Sequence, residues 1–135
     1  MNFLPGNQLN LYGLNKDFDE LIKLYKNKKL PNKFMLSGRK GIGKCTLAYH
    51  LVNFILSENE NLSYNLNNYS INKDNKSFKL VHNGVHPNFY LIDVISEKKT
   101  IDIFQIRNLI SDLNKSNLNL KPRIILIDNI EFLNI

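Results

Sequence analysis

Gly38-Arg39-Lys40-Gly41-Ile42-Gly43-Lys44 matches the opening of the Walker A pattern, G-x-x-x-x-G-K followed by Ser or Thr. Phosphate binding explains why these residues stand at this spacing. Glycines let the backbone fold into a concave nest of N–H groups, and a helix starting at Lys44 adds its positive end. Lys44 then reaches the terminal phosphates as a flexible point charge. Phe34-Met35-Leu36 reads as a short buried strand feeding the loop. Lys44 to about Leu56 reads as a helix with Leu47, Leu51, Phe54 and Ile55 on one face. The bland alternative, a glycine-rich strand-to-helix turn with an incidental lysine, is disfavoured by motif and context together. Arg39 and Lys40 have phosphate contact or plain solvation as equal readings.

The next position departs from the pattern. A Ser or Thr hydroxyl ordinarily ligates Mg²⁺ there, and this chain has Cys45. Magnesium is a hard cation that prefers oxygen, so a thiol replaces the hydroxyl poorly. Thr46 is no simple substitute, because one helical step rotates a side chain by ~100°. The expectation is nucleotide binding with a badly held metal. Cys45 at a helix N-terminus beside a lysine has the setting of a reactive thiol, but no function is built on it.

Downstream, Ile124-Ile125-Leu126-Ile127-Asp128 has the Walker B shape, four apolar residues ending in an Asp at the carboxyl end of a strand. Open α/β sheets place their chemistry at that end. Alone, such an Asp commonly caps a turn; beside a Walker A loop it reads as the acidic partner. Asn129 follows it and Glu131 stands displaced. Asn cannot accept a proton as a general base. Two separate parts of a hydrolytic apparatus are thus altered together.

Working outward, Asn15 through Lys26 predicts a helix capped by Asn15, with Asp17, Asp19 and Glu20 early and Phe18, Leu21, Ile22 and Tyr25 at helical spacing. Glu58 to Lys76 is dominated by Asn, Ser and Lys and reads as a long surface loop or insertion, partly disordered. Phe89-Tyr90-Leu91-Ile92 is a strand signal. Asp102 caps a third helix, Gln105 completes a capping box, and Ile103, Ile106, Ile110 and Leu113 form its apolar stripe. After a linker from Lys115 to Pro122, the run from Ile124 to Ile127 is apolar on both faces, as a central parallel strand must be. The class is α/β, a P-loop nucleoside-triphosphatase domain with a parallel sheet flanked by helices. A covering helix would ordinarily follow such a strand, so the domain is expected to be truncated.

Bulk properties bound the reading without deciding it. The chain has 135 residues, 43% hydrophobic and 22% charged, which is the composition of a folded domain. Its +6 charge suits an anionic partner such as nucleotide or DNA, although Lys-rich, Asn-rich bias alone gives the same sign. No stretch approaches the ~20 apolar residues of a membrane span, and the start lacks a signal-peptide pattern. A lone cysteine excludes an internal disulfide and a Cys-cluster zinc site. The expected setting is cytoplasmic. His50, His82 and His86 read as structural or surface residues, so neither metal ligands nor catalytic residues are assigned. Lys26, Lys28, Lys29 and Lys33 cluster near the first helix end, where cations suit the dipole; Arg107 is by default a solvated helix residue.

In their order along the chain these segments resemble the delta-prime subunits of the bacterial DNA polymerase III clamp loader. Leu36 to Tyr49 is similar to that family's phosphate loop, many of whose members also lack the hydroxyl after the lysine. Leu11-Tyr12-Gly13, a helix, then Lys29-Leu30-Pro31-Asn32-Lys33-Phe34 resembles its opening segment. His86-Pro87-Asn88, Ile101 to Ile110 and Asp128 to Asn134 resemble further family segments. The resemblance implies an AAA+-like fold, with Tyr12 and Gly13 beside the adenine and Asp128 at the metal. It implies ATP weakly held and not hydrolysed, magnesium doubtful, and no zinc, because the Asn-rich segment stands where relatives carry a four-cysteine module. It further implies partnership with delta and the ATP-hydrolysing subunits, and with the sliding clamp and primed DNA through the complex, as part of a nucleotidyltransferase holoenzyme in DNA replication. The lid and collar segments are not in the sequence. The competing classes are an active P-loop ATPase or small-molecule kinase that tolerates Cys45, and a gene fragment without function.

Overall fold

The computed structural model describes residues 4–94, 100–116 and 119–132. It divides into two compact units, Met1–Gly84 and Val85–Ile135. The first holds helices α1 (Asn15–Lys26), α2 (Lys44–Leu56) and α3 (Lys76–His82), preceded by a 3-10 turn over Pro5–Asn7. The second holds strand β1 (Phe89–Ile92), helix α4 (Ile103–Leu113), strand β2 (Ile124–Ile127) and a 3-10 turn over Ile130–Phe132.

In the first unit α2 is the central element, packed by α1, α3 and the Pro5–Asn7 turn. It therefore buries more than the predicted single face: Ala48, His50, Val52 and Asn53 are buried beside Leu47, Leu51 and Ile55. Phe18 and Ile22 of α1 meet it from one side, and the Phe18 ring lies against Tyr64, with centroids 5.1 Å apart. The α1 limits are those the periodicity predicts, but the cap is not. Asn15 is the first helical residue, and Leu14, with no side-chain cap, precedes it. The Gly13 turn (φ +75°) delivers the chain one residue early, so that Leu14 O accepts the first helical bond from Phe18 N. The C-terminus of α1 closes by the paired bonds Lys28 N to Tyr25 O and Lys29 N to Leu24 O, with Lys28 at φ +57°. That is a Schellman closure with lysine where glycine is usual.

The Asn-rich segment is a loop with most of its residues exposed, as expected, but it is tied down at defined points. Residues 69–71 pair back on 9–11 through Leu11 N to Tyr69 O and Ile71 N to Leu9 O, and Tyr64 and Ile71 enter the core. Its asparagines work as turn and cap residues, by the local side-chain to backbone bonding that Asn favours. Asn65 Oδ1 accepts from Asn67 N and Asn68 N, and Asn72 Oδ1 from Asp74 N. Asn75 caps α3 through Phe78 N while its amide donates to Glu60 and Asn61. Composition signalled polarity; the apolar residues between the asparagines supply the burial.

Phe34-Met35-Leu36 also departs from expectation. It is not a strand, and Phe34 and Met35 are 47% and 70% exposed. An apolar run becomes a strand only when a neighbour takes its backbone hydrogen bonds, and no described strand lies alongside this one.

In the second unit β1 and β2 pair in parallel, Phe89 with Ile124 through Ile92 with Ile127. Their connection runs through α4, the ordinary crossover of an α/β unit. The core is Ile92, Ile101 and Leu109, packed by Tyr90, Val94, Ile106 and Leu113. The stripe of α4 is thus Ile106, Leu109 and Leu113, whereas Ile103 and Ile110 are 56% and 54% exposed. β2 was expected to be covered on both faces as a central strand. Ile125 and Ile127 remain about two-fifths exposed, so β2 is not covered on both faces. Asp102 caps α4 by accepting from Phe104 N. Gln105 does not complete a capping box; its amide donates to Asp93 O at 2.9 Å and so ties α4 to the end of β1. Asn88, fully buried, exchanges bonds with Asn119 and donates to Lys121 O, which anchors the start of β1. Part of the Lys115 to Pro122 linker (117–118), and Leu133 and Asn134 of the acidic segment, lie outside the described residues.

Candidate phosphate-binding loop

The loop spans Gly38 to Lys44 in the first unit, and α2 begins at Lys44. Two glycines carry conformations that other residues rarely adopt: Gly41 at φ +84° and Gly43 at φ +100°. A Cβ at Gly41 would meet nothing within 4 Å, so the need for glycine there is conformational. At Gly43 a Cβ would sit 3.4 Å from Leu14 Cδ1, which places the segment after Tyr12-Gly13 directly against the loop. Lys44 folds back along the loop, and its ammonium donates to Gly38 O at 2.9 Å. Gly43 caps α2 without any side-chain bond, and no acidic residue stands in the first turn. The positive end of a 13-residue helix, the ammonium and the exposed Arg39 and Lys40 therefore share one polar element with no carboxylate in it.

Cys45 and Thr46 follow in the first turn of α2, both half-buried. Ile42 is half exposed on the loop, and its N–H donates to Arg39 O to close the turn. Tyr12 is 79% exposed and Gly13 has an open Cβ position, so neither is spent on packing. The helix side of the predicted loop context is present; the strand side is not.

Asp128 belongs to the second unit. Its N–H donates to Ile92 O, which extends the ladder by one residue, and its Oδ1 accepts from Asn129 N. Asn129 adopts φ +53°, a conformation Asn tolerates, and its amide donates to Asp93 Oδ1 at 2.8 Å. Asn129 is thus engaged in holding the ends of β1 and β2 together. Asp93 was missed in the sequence. The signal was present, an apolar strand ending in Asp at the carboxyl end of a parallel pair. Glu131 is exposed on the Ile130–Phe132 turn.

The histidines have structural surroundings. His50 is buried between Tyr64 and Gln8, and burial lowers its pKa, partly opposed by the bond to Gln8 O. His86 Nδ1 accepts from Asn88 N, and His82 stacks on Phe78. Among the described residues no three His, Cys, Asp or Glu side chains cluster in a metal-binding arrangement, and no helix is long and apolar enough to cross a membrane.

No curated protein matches the chain. The family described as DNA polymerase III, delta subunit, matches residues 13–135, which takes in the loop, α1 to α4, both strands and Asp128. With a match that runs from Gly13 through both altered motifs in one continuous order, the chain belongs to the DNA polymerase III delta subunit family.

Proposed function

We propose that this DNA polymerase III clamp-loader-type subunit plays the delta-prime part: it holds nucleotide weakly, does not hydrolyse it, and serves DNA replication through its partners. Family membership supports the clamp-loader role. The observation that carries the finer reading is a retained loop in the first unit beside two altered positions, one in each unit. Phosphate binding is supported by the positive φ of Gly41 and Gly43 and by Lys44 at the start of α2, folded back onto Gly38 O. Cys45 offers a thiol where magnesium requires oxygen, and the Asn129 amide is bonded to Asp93. The loop residues fit a nucleotide triphosphate: the Gly38 to Lys44 backbone for the phosphates, Lys44 for their charge, Tyr12 and Gly13 for the base. Magnesium does not fit this donor set, so no step through it is assigned. On this reading the partners are delta and the ATP-hydrolysing subunits, and the sliding clamp and primed DNA are reached through the complex.

The test combines titration calorimetry with a turnover assay and a pull-down. ATP binding should weaken by about tenfold or more, ~1.4 kcal/mol, in Lys44→Ala. Hydrolysis should be absent with or without magnesium, and the protein should copurify with delta. Magnesium-dependent turnover near ~1 per second, abolished by Lys44→Ala, would establish an active ATPase or kinase instead. Recovery of no clamp-loader subunit would overturn the delta-prime part.

A further inference from the structure

The charge of the chain is unevenly placed. The first unit carries twelve basic and six acidic residues and the second carries six of each, so the whole +6 belongs to the first. Within that unit no acidic residue occurs between Glu20 and Glu58, while eight basic ones do. Arg39, Lys40 and Lys44 belong to the loop described above. The other five, Lys23, Lys26, Lys28, Lys29 and Lys33, are all exposed, across the last turn of α1 and the segment after it.

None of these five enters an ion pair among the described residues, where the ion pairs are Lys79 with Asp74 and Lys115 with Asp112. Lys26 lies over the Phe54 ring at 5.8 Å. Glu58, the acidic group facing this end of α1, acts on the Tyr25 hydroxyl, whose pKa is raised first by burial and then by that carboxylate. The helix dipole accounts for cations at Lys23 and Lys26, in the last turn. It does not account for Lys33, nor for Lys28. Lys28 occupies the left-handed position of the Schellman closure at φ +57°, where glycine would fit without strain. Neither the dipole nor the backbone conformation therefore calls for a cation at Lys28.

We infer that the exposed lysines from Lys23 to Lys33 form a binding surface for the phosphate backbone of nucleic acid. The surface lies on this chain itself and is separate from the nucleotide loop. Exposed ammonium groups outside any ion pair, in a stretch of sequence without a carboxylate, are the electrostatic footprint of such binding, which releases counterions and reads no sequence. Membership of a DNA polymerase subunit family favours nucleic acid over an acidic protein as the occupant.

Fluorescence anisotropy with a labelled duplex of arbitrary sequence tests this. The wild-type chain is compared with Lys28→Gln/Lys29→Gln/Lys33→Gln and with a charge-matched control, Lys73→Gln/Lys76→Gln/Lys79→Gln. Circular dichroism confirms that all three are folded. The first variant should bind at least about tenfold more weakly, with a log-affinity against log-salt slope shallower by about 2 to 3 between about 50 and 200 mM salt. The control should stay near wild type, and excess ATP should not displace the duplex. Equal losses in the two variants would overturn the proposal, since general charge would then suffice. Displacement by ATP would do so by placing the binding at the loop. Equal competition by polyglutamate would overturn the nucleic-acid assignment, since the surface would then take any polyanion.

Discussion

The Nδ1 atom of His50 and the hydroxyl of Tyr64 lie 2.7 Å apart in the core of the first unit, joining the helix that starts at the glycine-rich loop to the Asn-rich segment. The direction of this bond follows from its neighbour. His50 Nε2 lies 2.9 Å from Gln8 O, and a carbonyl only accepts, so Nε2 carries the proton. Nδ1 is then an acceptor and Tyr64 donates. Replacing Tyr64 by Phe leaves a buried acceptor without its donor. Urea unfolding should show a loss of about 1–3 kcal/mol. An unchanged midpoint would mean that the bond is not made in solution.

The same histidine sets a pH dependence. Burial holds its folded-state pKa below the ordinary 6.5, so below that value the unfolded chain takes up more protons than the folded one. This contribution is complete above pH 6.5 and is lost as pH falls from there toward the folded pKa. The limiting slope is about 1.4 kcal/mol per pH unit for one proton. Proton NMR should find the His50 ring titrating below 6.5; titration at or above that value would contradict the buried, neutral assignment.

Lys28→Gly should stabilise the chain by about 0.5–1 kcal/mol, because glycine relieves the left-handed strain at the end of α1. Lys28→Ala loses the same charge and keeps the strain, so it should show no such gain. Equal unfolding midpoints for the two variants would remove the strain argument.

Cys45→Ser restores an oxygen ligand at the first turn of α2. On the proposed reading, ATP affinity of the wild-type chain is insensitive to magnesium, whereas the serine variant gains about tenfold, ~1.4 kcal/mol, when magnesium is added. Hydrolysis should remain absent in both, because Asn129 supplies no base. Magnesium sensitivity already present in the wild type would show that Cys45 is no obstacle.

Much of this protein is written locally. The limits of α1 and α2, both strands and the Asp102 cap follow from signals within a turn or two of each residue: apolar spacing, an N-terminal oxygen, a β-branched run. The glycine spacing of the loop from Gly38 to Lys44 is of the same kind, since a positive φ is a property of one residue. Burial is not local, and it is there that tertiary structure decided. Whether Phe34 and Met35 become a strand depends on a backbone neighbour, and none of the described strands supplies one. Tyr64 and Ile71 of the Asn-rich segment entered the core because residues 9–11 offer backbone groups to 69–71 and Phe18 offers a ring to Tyr64, partners far away in the chain. Gln105 bonded Asp93 rather than its own helix end for the same reason. Each residue states what it can bond, and the fold determines which distant partner arrives within reach, because hydrogen bonds and packing act over a few ångströms.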